Sequence, residues 1–245
     1  MDNLILKTLR EEMSMNYRGG LYHKTQILMA YNTNRIEGSQ LSEDQTRSIF
    51  ETNTLFSEQD QAVNIDDIIE TQNHFQLFDF MLKNAEELLS SNLIKQFHKQ
   101  LKRGTSDARK SWFKVGDYKL LPNEVGGHET TAPDDVDSAM EHLLSKYLAK
   151  VTITIEDIVD FHAKFEAIHP FQDGNGRVGR LIMFKECLKY NIMPFIIDTQ
   201  HQAFYYRGLQ EYQAGREKGY LIDTCLSAQD QYEAICKKLL PPISK

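Results

Sequence analysis

Cysteine is nearly absent, with 3 residues in 245: Cys187, Cys225 and Cys236. Three thiols do not make a disulfide framework. No CxxC pair and no Cys/His spacing marks a zinc site. The three sit in helix-like, mostly apolar patterns and read as buried thiols. Positive charge is outnumbered: 28 Lys and Arg stand against 35 Asp and Glu, for a net charge of -7 and a pI near 5.6. That balance argues against a general nucleic-acid binder, because phosphate backbones select basic faces. Long apolar runs are missing too. The stretch Ile192 to Ile197 contains Pro194 and is far too short to span a bilayer. The N-terminal MDNLILKTLREE is too acidic and too briefly apolar for a signal peptide. Low-complexity tracts, internal repeats and linkers rich in Pro, Gly or Ser are all lacking. A soluble chain in a reducing cytoplasm, without nucleic-acid or membrane partners, is the expectation. It is long enough to bury a real core in one compact domain.

Helical periodicity fills most of the chain. Leu21 to Glu37 reads as a helix stopped by Gly38, a natural residue just past a helix end. Ser42-Glu-Asp-Gln45 has the form of a capping box opening the next helix. Ile65 to Lys83 carries Ile68, Ile69, Phe75, Leu77, Phe78 and Leu82 at near-helical spacing, and Leu88 to Leu101 follows suit. Residues 105–131 differ: Trp112, Phe113, Val115 and Tyr118 roughly alternate between Gly116, Pro122, Gly126 and Gly127. That pattern predicts a short β-hairpin or extended flap. Helices are then expected from Pro133 to Ala149, from a capped start at Thr154 to Ile168, from Arg177 to Tyr190, from Gln202 to Glu217, and from Tyr220 to Leu240.

One stretch concentrates chemistry: His169-Pro-Phe-Gln-Asp-Gly-Asn-Gly-Arg-Val-Gly-Arg180. Pro170 disfavours helix at the residue before it, so the chain must turn there, and Phe171 anchors the turn in the core. Gly174-Asn175-Gly176 allows torsions that other residues resist, and its N–H groups can converge on an anion. A helix starting at about Arg177 adds partial positive charge at the same place. Arg177 and Arg180 share a face of that helix, and their forks suit phosphate oxygens. Asp173 is a hard oxygen ligand suited to Mg²⁺ that also takes phosphate oxygens. His169, with an imidazole near neutrality, can deprotonate a hydroxyl nucleophile. The set suits attack on a nucleotide polyphosphate.

HPFQDGNGRVGR resembles the HPFx[D/E]GNGRxxR motif of the Fic family, with every specified position matched. The likeness extends over roughly the last two-thirds of the chain. It implies a mainly α fold: a Fic-type helical bundle at 61–245 with a short β-hairpin flap, preceded by an N-terminal helical extension at 1–60. It also implies protein adenylyltransferase activity, the transfer of AMP from ATP, with Mg²⁺, to a Ser, Thr or Tyr hydroxyl of a target protein or of the chain itself. His169 then resembles the base, Asp173 the metal ligand, and Gly174, Asn175 and Gly176 the anion hole. Arg177 and Arg180 resemble the triphosphate-binding pair. Fic relatives that act as kinases usually depart from GNGR, which this chain keeps.

Thr33-Asn-Arg-Ile-Glu37-Gly38 resembles the [S/T]xxxE[G/N] inhibitory motif of self-restrained Fic proteins. In that family the glutamate pairs with the second motif arginine, here Arg180, and obstructs the γ-phosphate. The same carboxylate orients water for AMP removal in some members. That leaves a de-AMPylating phosphodiesterase, or a non-catalytic nucleotide-binding regulator, as alternatives. By the same likeness, Lys119, Leu120 and Leu121 belong to the target-docking flap, and a homo-oligomer is possible. Tyr205, Tyr206 and Gln213 resemble adenine-pocket positions, although an aromatic pair at helical spacing also suits a core. His98, His128 and His162 show no metal pattern and read as structural or solvated.

Overall fold

The structure is a computed structural model that describes residues 3–56 and 62–240. The expected domain boundary between 60 and 61 lies outside the described residues, as do the two N-terminal residues of the segment weighed as a signal peptide. Helix α1 spans Leu4–Met15, α2 Leu21–Ile36, α3 Glu43–Thr52, α4 Ile65–Lys83 and α5 Ser91–Lys102. Two short strands follow, β1 (Glu124–Val125) and β2 (His128–Glu129), then α6 (Val136–Leu148), α7 (Ile155–Ile168), α8 (Asn175–Lys189), α9 (Gln202–Gln213) and α10 (Gly219–Leu239). The architecture is mainly α, with a single two-stranded hairpin among the described residues.

Local chemistry explains most boundaries. Ser42 and Gln45 form a reciprocal capping box on α3, and Thr154 with Asp157 does the same on α7. Helix α2 stops where Gly38 takes φ +99°, a torsion that glycine adopts without cost. Helix α5 starts later than its apolar pattern suggests, because the Ser90 side chain accepts from Leu93 N–H and fixes the first turn there. Helix α9 ends at Gln213 rather than Glu217, since Gly215 turns left-handed at φ +69°. No helix was read at the N-terminus in its own right, yet α1 is there, capped by Asn3.

The flap segment is the main departure. Only Glu124–Val125 and His128–Glu129 pair, antiparallel, with Glu124 opposite Glu129. Trp112 and Val115 lie in turns and Phe113 and Tyr118 in irregular backbone, none of them in a strand. Their alternation reflects two inward aromatics, Phe113 and Tyr118, each 5% exposed, packed against His98 and Phe171.

Helix α8 is buried along its whole length from Asn175 to Leu188. Neighbours α2, α4, α5 and α7 surround it, so it reads as an all-round core helix instead of an amphipathic one. Phe184 on α8 meets Phe78 of α4 and Tyr232 of α10, each with ring centroids 5.6 Å apart. Leu6 and Leu9 of α1 join this same core. The motif is thus mounted on a helix buried on every side. Cys187, Cys225 and Cys236 are free and buried, and burial pushes the Cys236 thiol up to about 12. Among the described residues, no helix is long and apolar enough to cross a membrane.

Candidate active site

His169 caps the C-terminus of α7 in the left-handed region, at φ 51° and ψ 61°. A non-glycine residue held there costs on the order of 1–3 kcal/mol and persists only where its surroundings fix it. Its imidazole is largely buried, and Nδ1 lies 3.9 Å from Glu166 Oε2. Burial, aided by the positive charge of Lys119, lowers its pKa to about 4. The ring is therefore neutral and able to accept a proton at ordinary pH.

The loop after His169 is tied from several sides. Asn175 Oδ1 accepts from the Phe171 N–H, and its Nδ2 donates to Phe171 O, both at 2.8 Å. The Asn175 side chain thus clamps the turn, leaving only its backbone N–H for an anion. His98 stacks on Phe171 with centroids 4.0 Å apart and planes 3° from parallel. Its Nδ1 accepts from Gly116 N–H at 2.9 Å, which fixes Nε2–H as the donor to Asp173 O at 3.1 Å. Burial lowers the His98 pKa to about 3, consistent with that neutral tautomer. His98 is structural in a specific sense: it holds the loop that carries Asp173.

Helix α8 begins at Asn175, two residues earlier than the pattern suggested, with Gly174 as its cap at φ 83°. The Asn175 and Gly176 amides are therefore first-turn helical donors, without intrahelical partners. This is the anion-attracting end of the helix dipole. A carboxylate lies there: a Cβ built on Gly176 would meet Glu37 Oε1 at 2.2 Å. A side chain at 176 would displace the Glu37 carboxylate, so glycine leaves room for this approach.

Arg180 is 3% exposed. Its Nε–H donates to Thr33 Oγ1 at 2.8 Å, and Nη2 donates to Thr33 O at 3.1 Å and to Glu37 Oε1 at 2.6 Å. Arg177 donates to Asp173 Oδ2 at 3.1 Å and pairs with Glu70 of α4. Lys102, 2% exposed, joins the same group, at 2.5 Å from Glu70, 2.6 Å from Asp173 and 3.1 Å from Asp107. Burial alone would raise the Asp173 pKa, but Arg177 and Lys102 outweigh it and hold the carboxyl well below its usual range. Glu70, Lys102 and Asp107 escaped the sequence reading. They lie outside the motif, and only the packing of α4 and α5 against α8 brings them to it. A polar cleft of about 290 Å³ adjoins them, lined also by Glu37, Asp66 and Asp67.

Asp173 fits a magnesium ligand by its chemistry. It is anionic, its side chain is 46% exposed, and both cations hold the same oxygen, Oδ2. Among the described residues no trio of His, Cys, Asp or Glu is arranged to hold a metal unaided. A cation here would complete its shell from phosphate and water, as Mg²⁺ does.

The three residues expected at an adenine pocket take different positions. Tyr205 is 1% exposed; its hydroxyl meets His162 Nε2 at 2.7 Å and Arg180 Nη1 at 3.5 Å. It packs in the core and braces Arg180. Gln213 Nε2 donates to Ala163 O at 3.3 Å, tying α9 to α7. Tyr206 is 41% exposed, but its hydroxyl donates to Ile36 O at 2.9 Å. On the flap, Leu120 and Leu121 are half-exposed, whereas Lys119 is 3% exposed and turns inward. His128 is exposed on β2. Glu166, beneath His169, was not singled out. It is 8% exposed, and burial followed by the nearby Glu37 charge raises its pKa to about 8.

A buried imidazole, a helix N-terminus and two guanidiniums on one turn form an arrangement chemically suited to an anionic group. Residues 88–187 match the family model for Fic/DOC. The chain is 29% identical over 188 residues to the protein adenylyltransferase Fic of Aedes aegypti, covering 74% of this chain and 36% of that protein. It is 25% identical over 197 residues to the protein adenylyltransferase fic-1 of Caenorhabditis elegans, covering 77% and 37%. The chain therefore spans just over a third of these relatives' length. The fold matches a Fic domain containing signaling protein from Bacteroides thetaiotaomicron with a TM-score of 0.72, at 20% identity, over 96% of this chain and 94% of that one. It also matches a Caenorhabditis elegans Fic-1 structure (aa134–508, E274G) with a TM-score of 0.71, at 20% identity, over 95% and 71%. Residues 88–187 thus resemble a Fic/DOC domain in sequence, and the chain shares the fold of Fic structures.

Proposed function

We propose that this chain is a protein adenylyltransferase that moves AMP from ATP to a hydroxyl of a target protein, and that Glu37 restrains it. The observation that carries this is the pair of buried guanidiniums on the first turns of α8, beside a neutral His169 and each held by a carboxylate. The similarity to curated adenylyltransferases supports the chemistry.

His169 takes the proton of a Ser, Thr or Tyr hydroxyl. The oxygen attacks the α-phosphorus, the bond to the bridging oxygen breaks, and pyrophosphate leaves with the electron pair. The first-turn amides of α8 and the two arginines stabilise the charge that develops on the phosphates. Asp173 would hold Mg²⁺, which when bound neutralises phosphate charge. The exposed flap strands offer an edge on which a target segment can pair. Residues 1–60 act as the regulatory extension, because Thr33 on α2 and Glu37 just past its end carry the contacts to Arg180.

The test is incubation of Glu37→Gly with ATP and Mg²⁺ in a cell extract, with AMP-bearing peptides read by mass spectrometry. AMP on target hydroxyls, lost with the added change His169→Ala, is expected. Transfer that persists without His169 would remove it as the base. Removal of AMP through Glu37 is a second reading, favoured by the carboxylate's position over the α8 N-terminus. Release of AMP from a modified target by the wild type, lost in Glu37→Gly, would select it.

A further inference from the structure

Three backbone carbonyls around the His169 turn are each taken by a donor from the base of the flap. Lys119 Nζ donates to Ile168 O at 3.3 Å, and Lys119 N–H donates to Pro170 O at 2.9 Å. Asn123 Nδ2 donates to Phe171 O at 3.1 Å. One residue therefore grips the peptide chain on both sides of His169, with its ammonium before the imidazole-bearing residue and its amide after it. The same ammonium closes the two limbs of the flap, donating to Asn123 Oδ1 at 2.7 Å and to Thr130 Oγ1 at 2.6 Å. Thr130 in turn donates to Asn123, completing the ring.

From this geometry we infer that Lys119 is a positioning residue for His169, one that locks the flap to the turn carrying the base and sets an unpaired positive charge beside the imidazole. The inference rests on His169 being the base of the reaction proposed above. Three features support it. First, Lys119 is 3% exposed, so its three ammonium hydrogens must find partners inside, and Asn123, Thr130 and Ile168 supply three acceptors. Second, Ile168 ends α7, where carbonyls lack helical partners and a cation is favoured. The left-handed His169 that follows needs such outside fixing. Third, no carboxylate pairs with Lys119 among the described residues, and burial lowers its pKa to about 8. The ammonium is still mostly charged at about pH 7, and no paired carboxylate offsets it there.

The groups around the His169 ring include Lys119 from the flap, Glu166 on α7, Glu37 at the end of α2 and Asp173 in the motif loop. Glu37 and Asp173 favour the imidazolium; Lys119, after burial, opposes it. Lys119 thus helps keep the ring unprotonated while the flap delivers a hydroxyl. A lysine first read as part of a docking surface would instead couple target docking to the readiness of the base.

The experiment compares Lys119→Met, Lys119→Arg and Thr130→Val in the full chain carrying Glu37→Gly. The His169 midpoint is read by NMR of labelled histidine, assigned by signal loss in His169→Ala. For Lys119→Met the expected result is an upward move of the His169 midpoint by about half a unit or more. A fall in kcat of about tenfold to a hundredfold should accompany it, with KM for ATP held. Lys119→Arg keeps the charge and should restore the midpoint. Thr130→Val loosens the flap while leaving the charge in place, so kcat should fall with the midpoint unmoved. Should Lys119→Met fail to fold, Lys119→Arg and Thr130→Val still decide the matter. An unshifted midpoint in folded Lys119→Met, or full activity in Thr130→Val, would overturn the inference. The titration needs no turnover, so it separates failure here from failure of the adenylyltransferase proposal.

Discussion

Replacing Glu37 with Gly removes one contact with a calculable weight. Arg180 loses its 2.6 Å hydrogen bond to Glu37 Oε1 but keeps Thr33 Oγ1 at 2.8 Å and Thr33 O at 3.1 Å. A hydrogen bond to a charged group contributes about 1.5–3 kcal/mol. Glu37 is 28% exposed on its side chain, so solvent screens part of this, leaving ~1–2 kcal/mol. If a γ-phosphate must displace Glu37 to reach the guanidinium, ATP binding should strengthen roughly 5- to 30-fold in Glu37→Gly. Without nucleotide the same loss should lower the melting temperature by about 2–8 °C. Glu37→Gln retains a hydrogen-bond acceptor without the charge and should fall between wild type and Glu37→Gly in ATP affinity. Calorimetric titration with ATP and Mg²⁺, set beside AMP incorporation, measures the effect. A lowered melting temperature with unchanged affinity and rate would show that the Glu37–Arg180 contact is structural only, and the restraint would fall.

Further outcomes follow from the same geometry. Glu70→Ala leaves Arg177 and Lys102 short of one carboxylate, and should cost about 3–5 kcal/mol of unfolding free energy by denaturant titration. A change under 1 kcal/mol, on the order of a surface pair, would contradict the buried network. Burial lowers the pKa of His74, His98 and His162 to about 3 and of His169 to about 4. The unfolded chain, with histidines near 6.5, therefore binds more protons between those values. Stability should be intact above about pH 6.5 and fall steadily towards pH 4; a melting temperature flat across that window would refute it. Glu166 has the opposite sign, because its folded pKa is raised to about 8. Its contribution is fully present below about pH 4.5 and is lost as pH rises through about 8, so Glu166→Gln should remove a decline in melting temperature between those values.

The sequence made the centre of the site legible because its chemistry is local. His169, Asp173, Arg177 and Arg180 fall within twelve residues, and Pro170 and Gly174 dictate the turn between them. Helix boundaries were legible wherever a cap announced them, as at Ser42 and Thr154. What escaped depends on contacts distant in sequence. Glu70 and Lys102 reach the motif from α4 and α5, 107 and 71 residues from their partners Arg177 and Asp173, and neither carries a local signature. The flap misled for a related reason. Alternating apolar residues suggest strands, but Phe113 and Tyr118 point inward to fill space beside His98 and Phe171. Tyr205 is buried and braces Arg180, a contact across 25 residues that no local pattern announces.

The most direct test of the proposed chemistry uses Glu37→Gly and ATP labelled either on the α- or on the γ-phosphorus. The account predicts that protein becomes labelled from α-labelled ATP alone, because the γ-phosphate departs within pyrophosphate. Label transferred from the γ-position would mean phosphoryl transfer, and no label from either would mean no transfer; both results contradict it.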